Sequence, residues 1–206
     1  MPVHLVRHPL VQHTLAKLRD GRTEPAVFRR LANRISVLLA AEALADLPVR
    51  SVAVQTPMGQ AAGLRVAADV VVVPVLRAGL GMLDAVLDLC PEARVGHIGL
   101  QRDETTAVAN HYYTRLPRGL EKSYVLVVDP MLATGGSAVA ALDLLRSAGA
   151  VRVRLLCIVA APDGIELVER HHPLVDIFTP AVDEGLDASK YILPGLGDFG
   201  DRLYGT

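Results

Sequence analysis

The sequence predicts an α/β protein with a mostly parallel β-sheet covered by helices on both faces. Short apolar runs alternate with helix-like patterns from residue 49 to residue 178, an order typical of such sheets. Residues 70–76 form a continuous, mostly β-branched apolar run, as expected of a strand buried on both faces. Of the 206 residues, 51% are hydrophobic and 4% are aromatic, so aliphatic side chains should form the core.

Two helices are predicted before the alternating part. Residues 10–20 carry apolar side chains at helical spacing and stop at Gly21, and a longer helix runs from about residue 25 to residue 47. Thr23 is the expected N-cap of the longer helix, and Pro25 suits its first turn. The alternating part is then predicted as strands at 49–54, 70–76, 94–100, 124–129, 151–160 and 174–178, with helices at 79–89, 135–148 and 164–171.

Two segments interrupt this alternation. Residues 101–118 are polar and too long for a simple turn, so we expect an arm or a lid there. Residues 183–206 are rich in glycine and show no helical periodicity. Long irregular segments in a compact protein are often functional, and both segments are therefore candidates for ligand contact.

Charge and composition exclude several classes of protein. A net charge of -1 and a pI near 6.6 provide no broad positive field for nucleic acid or anionic membranes. Cys90 and Cys157 are too few for a disulfide framework. The chain opens without a signal-peptide pattern, and it has no uncharged apolar run of about 18 residues. We expect a cytoplasmic protein.

The histidines are not predicted to bind metal. His8 and His13 lie on or near the first helix, and His171 and His172 end a later one. None has acidic or cysteine partners at the spacing of a metal site. Solvated or capping roles are expected for them.

The most informative segment is the junction of strand, loop and helix at residues 123–138. An apolar run ends at Asp129, and Thr134, Gly135, Gly136 and Ser137 lead into a helix. Such a junction directs backbone N–H groups and a helix N-terminus at one point, which suits a phosphate monoester, while the acid could hold sugar hydroxyls. A Walker A loop is excluded because no lysine follows the glycines. An ordinary capped turn is the alternative.

The string Val-Asp-Pro-Met-Leu-Ala-Thr-Gly-Gly-Ser at 128–137 resembles the diphosphate-sugar loop of type I phosphoribosyltransferases. Those enzymes bind 5-phosphoribosyl-1-diphosphate (PRPP), and most of them place two adjacent acids at the strand end. Here Asp129 is followed by Pro130. This departure is similar to the uracil phosphoribosyltransferase branch and argues against a purine enzyme.

Two arginines are candidates for the diphosphate. Arg77 lies in the string Pro-Val-Leu-Arg-Ala-Gly-Leu-Gly-Met at 74–82, which is similar to the family's diphosphate loop, and an arginine can engage two oxygens at once. Arg102 begins the segment that resembles the family's mobile arm, whose basic residue reaches the diphosphate. Solvated surface arginines are the alternative for both positions.

The tail at 191–201 resembles the family's uracil-binding hood. Its glycines at 195, 197 and 200 also match the dinucleotide pattern G-x-G-x-x-G, but we expect no helix and second strand in the six residues that follow. Uracil presents an acceptor, a donor and an acceptor, which a backbone loop can pair. Ile192, Gly197 and Phe199 should supply backbone contacts, and Asp198 should lie between base and ribose; family members often carry alanine at the position of Phe199.

The resemblance implies a uracil phosphoribosyltransferase fold and activity, with one domain over residues 1–206. Its core would cover about residues 68–180, and its hood about residues 181–206 together with the N-terminal helical segment. The implied catalytic residues are Arg102 and Asp198, and the implied PRPP site is Arg77, Arg102, Asp129, Pro130, Met131, Leu132, Ala133, Thr134, Gly135, Gly136, Ser137 and Asp198.

The same resemblance implies magnesium bound through PRPP and water, homodimers or larger homo-oligomers, and GTP as an effector in some members. Two alternative functions stay open at this point. One is a phosphoribosyltransferase for another base, such as a purine or orotate. The other is a pyrimidine-sensing regulator that binds RNA on the same fold, which would call for a basic face.

Overall fold

A computed structural model describes residues 3–102 and 109–206, without the side chains of residues 101, 102, 109 and 110. The helices are α1 (Pro9–Arg19), α2 (Pro25–Ala43), α3 (Leu80–Leu89), α4 (Gly136–Ser147), α5 (Pro162–His171) and α6 (Phe199–Tyr204). The strands are β1 (Val3–Leu5), β2 (Val49–Thr56), β3 (Gly59–Val66), β4 (Asp69–Leu76), β5 (Arg94–Val95), β6 (His97–Arg102), β7 (Ala109–Arg115), β8 (Ser123–Val128), β9 (Met131–Leu132), β10 (Arg152–Leu156), β11 (Val159–Ala160), β12 (Asp176–Thr179), β13 (Gly185–Leu186) and β14 (Ile192–Leu193).

The main sheet has the strand order β1-β12-β10-β8-β4-β6-β7, with β5 also paired to β4. All of its pairings are parallel except the pairing of β6 with β7. The chain passes from β4 outward to β6, and then returns to the other side of β4 to form β8. The strand order therefore reverses between β4 and β8, which defines the topological switch point of the sheet.

Helices cover both faces of the sheet, as predicted. One apolar cluster joins α1, α2, α3 and α6 to alternate residues of the central strands, including Val72 and Leu126. The other joins α4 and α5 to the opposite residues, including Val71 and Val125. Neighbouring residues of one strand thus enter different cores, which explains why β4 has an apolar run without alternation.

Most predicted elements are confirmed, with differences at the ends. Thr23 does not cap α2: its hydroxyl donates to the Lys17 carbonyl at 2.7 Å, Glu24 is the N-cap, and α2 ends at Ala43 rather than near residue 47. The predicted strands at 94–100 and 151–160 are each divided in two. The first is interrupted at Gly96, between β5 and β6, where the Gly96 N–H donates to the Val72 carbonyl at 2.9 Å.

Several elements were missed, and three of them depend on distant partners. β1 has three residues and forms only beside β12. β3 forms a hairpin with the predicted strand β2. The tail contains α6, contrary to the expectation of no helix; Phe199 packs edge-on against Phe28 of α2 with ring centroids 5.1 Å apart.

The predicted arm includes β7, which pairs antiparallel with β6. The rest of that prediction, at residues 103–108, lies outside the described residues. Within the described ranges, every helix is too short or too polar to cross a bilayer.

Candidate active site

The carboxyl ends of β4 and β8 open into a cavity of about 340 Å³. Ligands of doubly wound sheets bind at this position, beside the topological switch point. Arg77 follows β4 and Asp129 follows β8, and both residues line the cavity. Much of the remaining wall comes from the loop after Asp129, and Asp198 and Gly200 contribute from the tail.

The N-terminus of α4 faces this cavity without a side-chain cap. Its N-cap, Gly135, lies in the left-handed region at φ 83°, where a side chain would be strained. The first-turn N–H groups of a helix have no intrahelical acceptor, and the N-cap glycine has no side chain that could accept from them. Thr134, Gly135 and Ser137 line the cavity at the same point. The arrangement can bind an anion, because the N–H groups and the helix dipole favour negative charge.

Asp129 places a carboxyl group inside the cavity, where protein atoms enclose most of it. Burial raises its pKa from 3.8 to about 7, and the backbone N–H of Met131 opposes this rise by favouring the charged form. At neutral pH the ligand-free protein therefore contains both forms of the group. A carboxyl poised near its pKa can accept hydrogen bonds from sugar hydroxyls once a cationic or polar ligand favours the charged form.

The loop after β4 lies directly against the end of β8. At Gly79, an added Cβ would lie 2.4 Å from the Val128 carbonyl oxygen, so only glycine allows this approach. The hydroxyl of Tyr204, in α6, donates to the Arg77 carbonyl at 3.2 Å. The sheet and α6 thus fix the backbone at Arg77, and its exposed side chain lines the same cavity as Asp129.

Comparison with known proteins decides the family. The uracil phosphoribosyltransferase family model matches residues 5–206. The chain belongs to the uracil phosphoribosyltransferase family. A uracil phosphoribosyltransferase of Dictyoglomus turgidum is 52% identical over 205 residues, covering 99% of each chain. One of Symbiobacterium thermophilum is 51% identical and covers 99% of this chain and 98% of the relative.

Solved structures share the fold. A protein of Aquifex aeolicus superposes with a TM-score of 0.95 at 36% identity, covering 100% of this chain and 99% of the other. A phosphoribosyltransferase of Corynebacterium diphtheriae superposes with a TM-score of 0.54 at 17% identity, covering 86% and 98%. The second likeness concerns the fold alone. The prediction of a uracil phosphoribosyltransferase fold is confirmed.

For this uracil phosphoribosyltransferase family member, most of the predicted PRPP residues come together. The cavity is lined by Arg77, Asp129, Met131, Leu132, Ala133, Thr134, Gly135, Ser137 and Asp198. Pro130 and Gly136 belong to the same loop but do not line the cavity. Arg102 ends β6, and its side chain lies outside the described part of the chain, so its role stays a prediction.

Of the predicted uracil residues, Ile192, Gly197 and Phe199 do not line the cavity. Ile192 and Phe199 are 4% and 1% exposed and pack in the core, while Gly197 lies outside the cavity wall. Any contact of these three residues with a base would come from their backbone groups, and their role stays a prediction. Asp198 does line the cavity, and its Oδ1 accepts the Asp201 N–H at 2.9 Å as the N-cap of α6.

Sequence reasoning missed some of the wall and most of its support. Val75, Leu76, Ala78, Leu100, Ala138 and Gly200 also line the cavity. These six are neighbours of predicted site residues, so the motifs themselves were the available signal. Arg19, Asp183, Arg202 and Tyr204 support the tail from outside the cavity. Each of them has a partner more than 100 residues away along the chain, and no local pattern indicates these contacts.

The histidines and cysteines predicted to lie outside the chemistry have different surroundings. His172 is 6% exposed, and its Nε2 lies 3.3 Å from Asp143 Oδ1, so its side chain is not solvated. His8 is the N-cap of α1, where its Nδ1 accepts the Leu10 N–H at 3.1 Å. Cys90 and Cys157 are free thiols. Over the described residues, no group of three or more histidine, cysteine, aspartate or glutamate side chains could hold a metal ion.

Proposed function

We propose that this chain transfers the phosphoribosyl group of PRPP to uracil, giving UMP and diphosphate. The observation that carries the proposal is the meeting of an uncapped helix N-terminus, a carboxyl and an arginine around one cavity. These groups match the phosphate, the ribose hydroxyls and the diphosphate of PRPP. Membership of the uracil phosphoribosyltransferase family supports uracil as the acceptor base.

In this proposal, the loop 134–137 holds the 5-phosphate and Asp129 accepts hydrogen bonds from the ribose hydroxyls. Arg77 and Arg102 bind the diphosphate, and the backbone near Ile192, Gly197 and Phe199 pairs with the base. Support comes from the shared cavity of the loop, Asp129 and Arg77.

The reaction breaks the bond between the anomeric carbon and a diphosphate oxygen and forms the bond from that carbon to uracil N1. The N1 proton passes to the released diphosphate or to water. Positive character at the anomeric carbon and negative charge on the leaving group call for electrostatic stabilisation more than for a nucleophile. Holding the two reactants in line can supply much of the rate. Asp198, at the cavity wall, is the candidate that orients the ribose and the base.

Magnesium is proposed as a companion of PRPP. The cavity wall provides two carboxyl groups, Asp129 and Asp198, and the described residues hold no cluster of metal ligands. This donor set fits an ion that arrives on substrate oxygens and keeps several waters. When bound, the ion would neutralise charge on the diphosphate.

The proposed reaction is tested by supplying PRPP and magnesium with a panel of bases and measuring the nucleotide formed. Uracil should give UMP, and cytosine should react at least about 50-fold more slowly, because its amino group leaves a buried backbone donor unpaired. Adenine, hypoxanthine and orotate should give no nucleotide. Faster reaction with any of these bases than with uracil would contradict the proposal.

Removal of metal should abolish activity without changing the stability of the ligand-free protein. A chelator should stop UMP formation, and added Mg²⁺ should restore it, because the ion binds with PRPP. The chelator should change the melting temperature of the protein alone by less than about 1 °C. A metal ion raises the melting temperature only when it is bound to the folded protein, and here it would arrive with PRPP. A large drop in melting temperature on chelation would indicate a resident structural ion instead.

We also propose that the chain is one domain that assembles as a homodimer or larger homo-oligomer. Every residue of β2 and β3 is exposed or half-buried, and Met58, Leu64 and Val66 are 96%, 69% and 53% exposed. Apolar surface of this kind supports an interface. A response to GTP is proposed from the family alone, and sedimentation with and without GTP tests both proposals.

A further inference from the structure

The turn at residues 194–197, which we call the hood turn, is held by an ion pair that crosses the chain. Arg19, the last residue of α1, donates from Nη1 and Nη2 to the Asp183 carboxylate at 2.7 and 2.6 Å. The same Nη1 donates to the Gly195 carbonyl at 2.7 Å, and the Gly195 N–H donates to Asp183 Oδ2 at 2.9 Å. One ion pair therefore satisfies both backbone groups of Gly195. The Asp183 side chain is 6% exposed.

A second arginine holds the next residue of the hood turn. Arg202, in α6, donates from Nη1 to the Leu196 carbonyl at 2.7 Å and to the Leu18 carbonyl. Its Nη2 donates to the Asp20 carbonyl at 2.6 Å. The guanidinium group also lies over the Phe28 ring, 4.5 Å from the centroid. This arginine thus fastens the hood turn to the end of α1.

The two arginines act on consecutive residues and from the same side. They join the carbonyls of Gly195 and Leu196 to the C-terminus of α1, and neither arginine lines the cavity. The turn continues through Gly197 to Asp198, which does line it. Backbone groups that read a base edge must keep their positions to within about 0.5 Å, and charge-assisted hydrogen bonds provide such rigidity.

We propose that Arg19 and Arg202 are positioning residues for the acceptor base. They hold the hood turn so that its backbone presents a fixed set of donors and acceptors to the base edge. The inference rests on the proposed function, since it assigns the base subsite to the tail. Apart from Asp198, the proposed PRPP residues lie on the other walls of the cavity, so loosening the hood turn should affect the base more than PRPP.

The test is steady-state kinetics with each substrate varied, on Arg19→Gln, Arg202→Met and Arg202→Lys. Arg202→Met should raise the KM for uracil at least about tenfold, a loss of about 1.4 kcal/mol, while the KM for PRPP changes less than about threefold. Arg19→Gln should likewise raise the KM for uracil and leave the KM for PRPP nearly unchanged. Arg202→Lys should recover part of the loss, because an ammonium group can still donate to the carbonyls.

Arg22→Gln is the matched control. Arg22 lies at the same corner, its side chain is 92% exposed, and it pairs with the Asp20 carboxylate at 2.8 Å without contacting the hood turn. Both KM values should stay at the wild-type level in this variant. Thermal melting of every variant accompanies the kinetics. If Arg202→Met does not fold, Arg202→Lys and Arg19→Gln decide the question.

Equal rises in both KM values, or an unchanged KM for uracil, would overturn the positioning role. Failure of the proposed function looks different: the wild-type protein would then prefer another base. The same variants would in that case be measured with the preferred base. A selective rise in its KM would support the positioning role for that base.

Discussion

Replacing Asp129 with asparagine should remove most PRPP turnover and, at pH 8, make the folded protein more stable. Asparagine has nearly the same shape but cannot carry the charge that accepts hydrogen bonds from the ribose hydroxyls. We expect kcat/KM for PRPP to fall by about 100-fold or more. The charged carboxyl of Asp129 would thus favour ligand binding while lowering the stability of the ligand-free protein.

The gain in stability follows from the direction of the pKa shift. Burial raises the pKa of Asp129 from 3.8 to about 7 in the folded protein, so folding favours the neutral form. The stability that this group contributes is complete below pH 4 and is lost as the pH rises to about 7. The full shift corresponds to about 4 kcal/mol, and partial access to water reduces the expected effect to about 2 kcal/mol. Asparagine does not ionise, so the variant keeps this stability at pH 8.

Thermal melting and kinetics from pH 4 to pH 9 test both halves of the prediction. At pH 8 the melting temperature of Asp129→Asn should exceed that of the wild type by roughly 4 to 8 °C, and near pH 4 the two should agree. Wild-type kcat/KM for PRPP should rise with pH up to about 7. In Asp129→Asn, the pH profile of kcat/KM should show only the ionisation of the substrate phosphate, near pH 6.

Asp88→Asn is the control for this experiment, since Asp88 is exposed on α3 and lies away from the cavity. It should change neither the activity nor the pH dependence of melting. A lower melting temperature of Asp129→Asn at pH 8, or activity equal to that of the wild type, would remove Asp129 from the proposed site.

Replacing Gly79 with alanine should destabilise the protein by about 3 kcal/mol or more and displace the loop that carries Arg77. The added Cβ would lie 2.4 Å from the Val128 carbonyl oxygen and 2.7 Å from both the backbone N and O of Val75. These atoms belong to β8 and β4, which are paired in the sheet. They cannot retreat without breaking that pairing, so the loop must move instead.

Chemical denaturation and PRPP kinetics measure the two effects of Gly79→Ala. Gly21→Ala is the matched control, because a Cβ at Gly21 would meet nothing within 4 Å. The control should stay within about 0.5 kcal/mol of the wild type. If Gly79→Ala were as stable and as active as the control, the close approach of the two loops would not be what holds Arg77 beside Asp129.

The sequence was sufficient where the signal is local. The apolar run at 70–76 predicts β4 because each of its side chains enters one of the two cores. The loop after Asp129 was predicted to bind phosphate because small residues before a helix leave N–H groups uncovered, and the structure places that loop at the cavity.

Where the stabilising contact is distant, the same reasoning failed. α6 has six residues, too few to be stable alone, and it exists because Phe199 and Leu203 are buried against the rest of the fold. β1 forms for the same reason beside β12. The hairpin partner β3 has two exposed alanines, two glycines and almost no alternation of polarity, so its pairing with β2 gave little pattern to read.

The main helices and strands, the small-residue loop after Asp129 and the family motifs were determined by the sequence itself, because periodicity, glycine placement and motif spacing act over a few residues. Tertiary structure decided the pKa of Asp129 and the support of the hood turn. Burial of a carboxyl depends on atoms from several elements. The ion pair of Arg19 and Asp183 joins residues 164 positions apart, and such contacts exist only once the chain has folded.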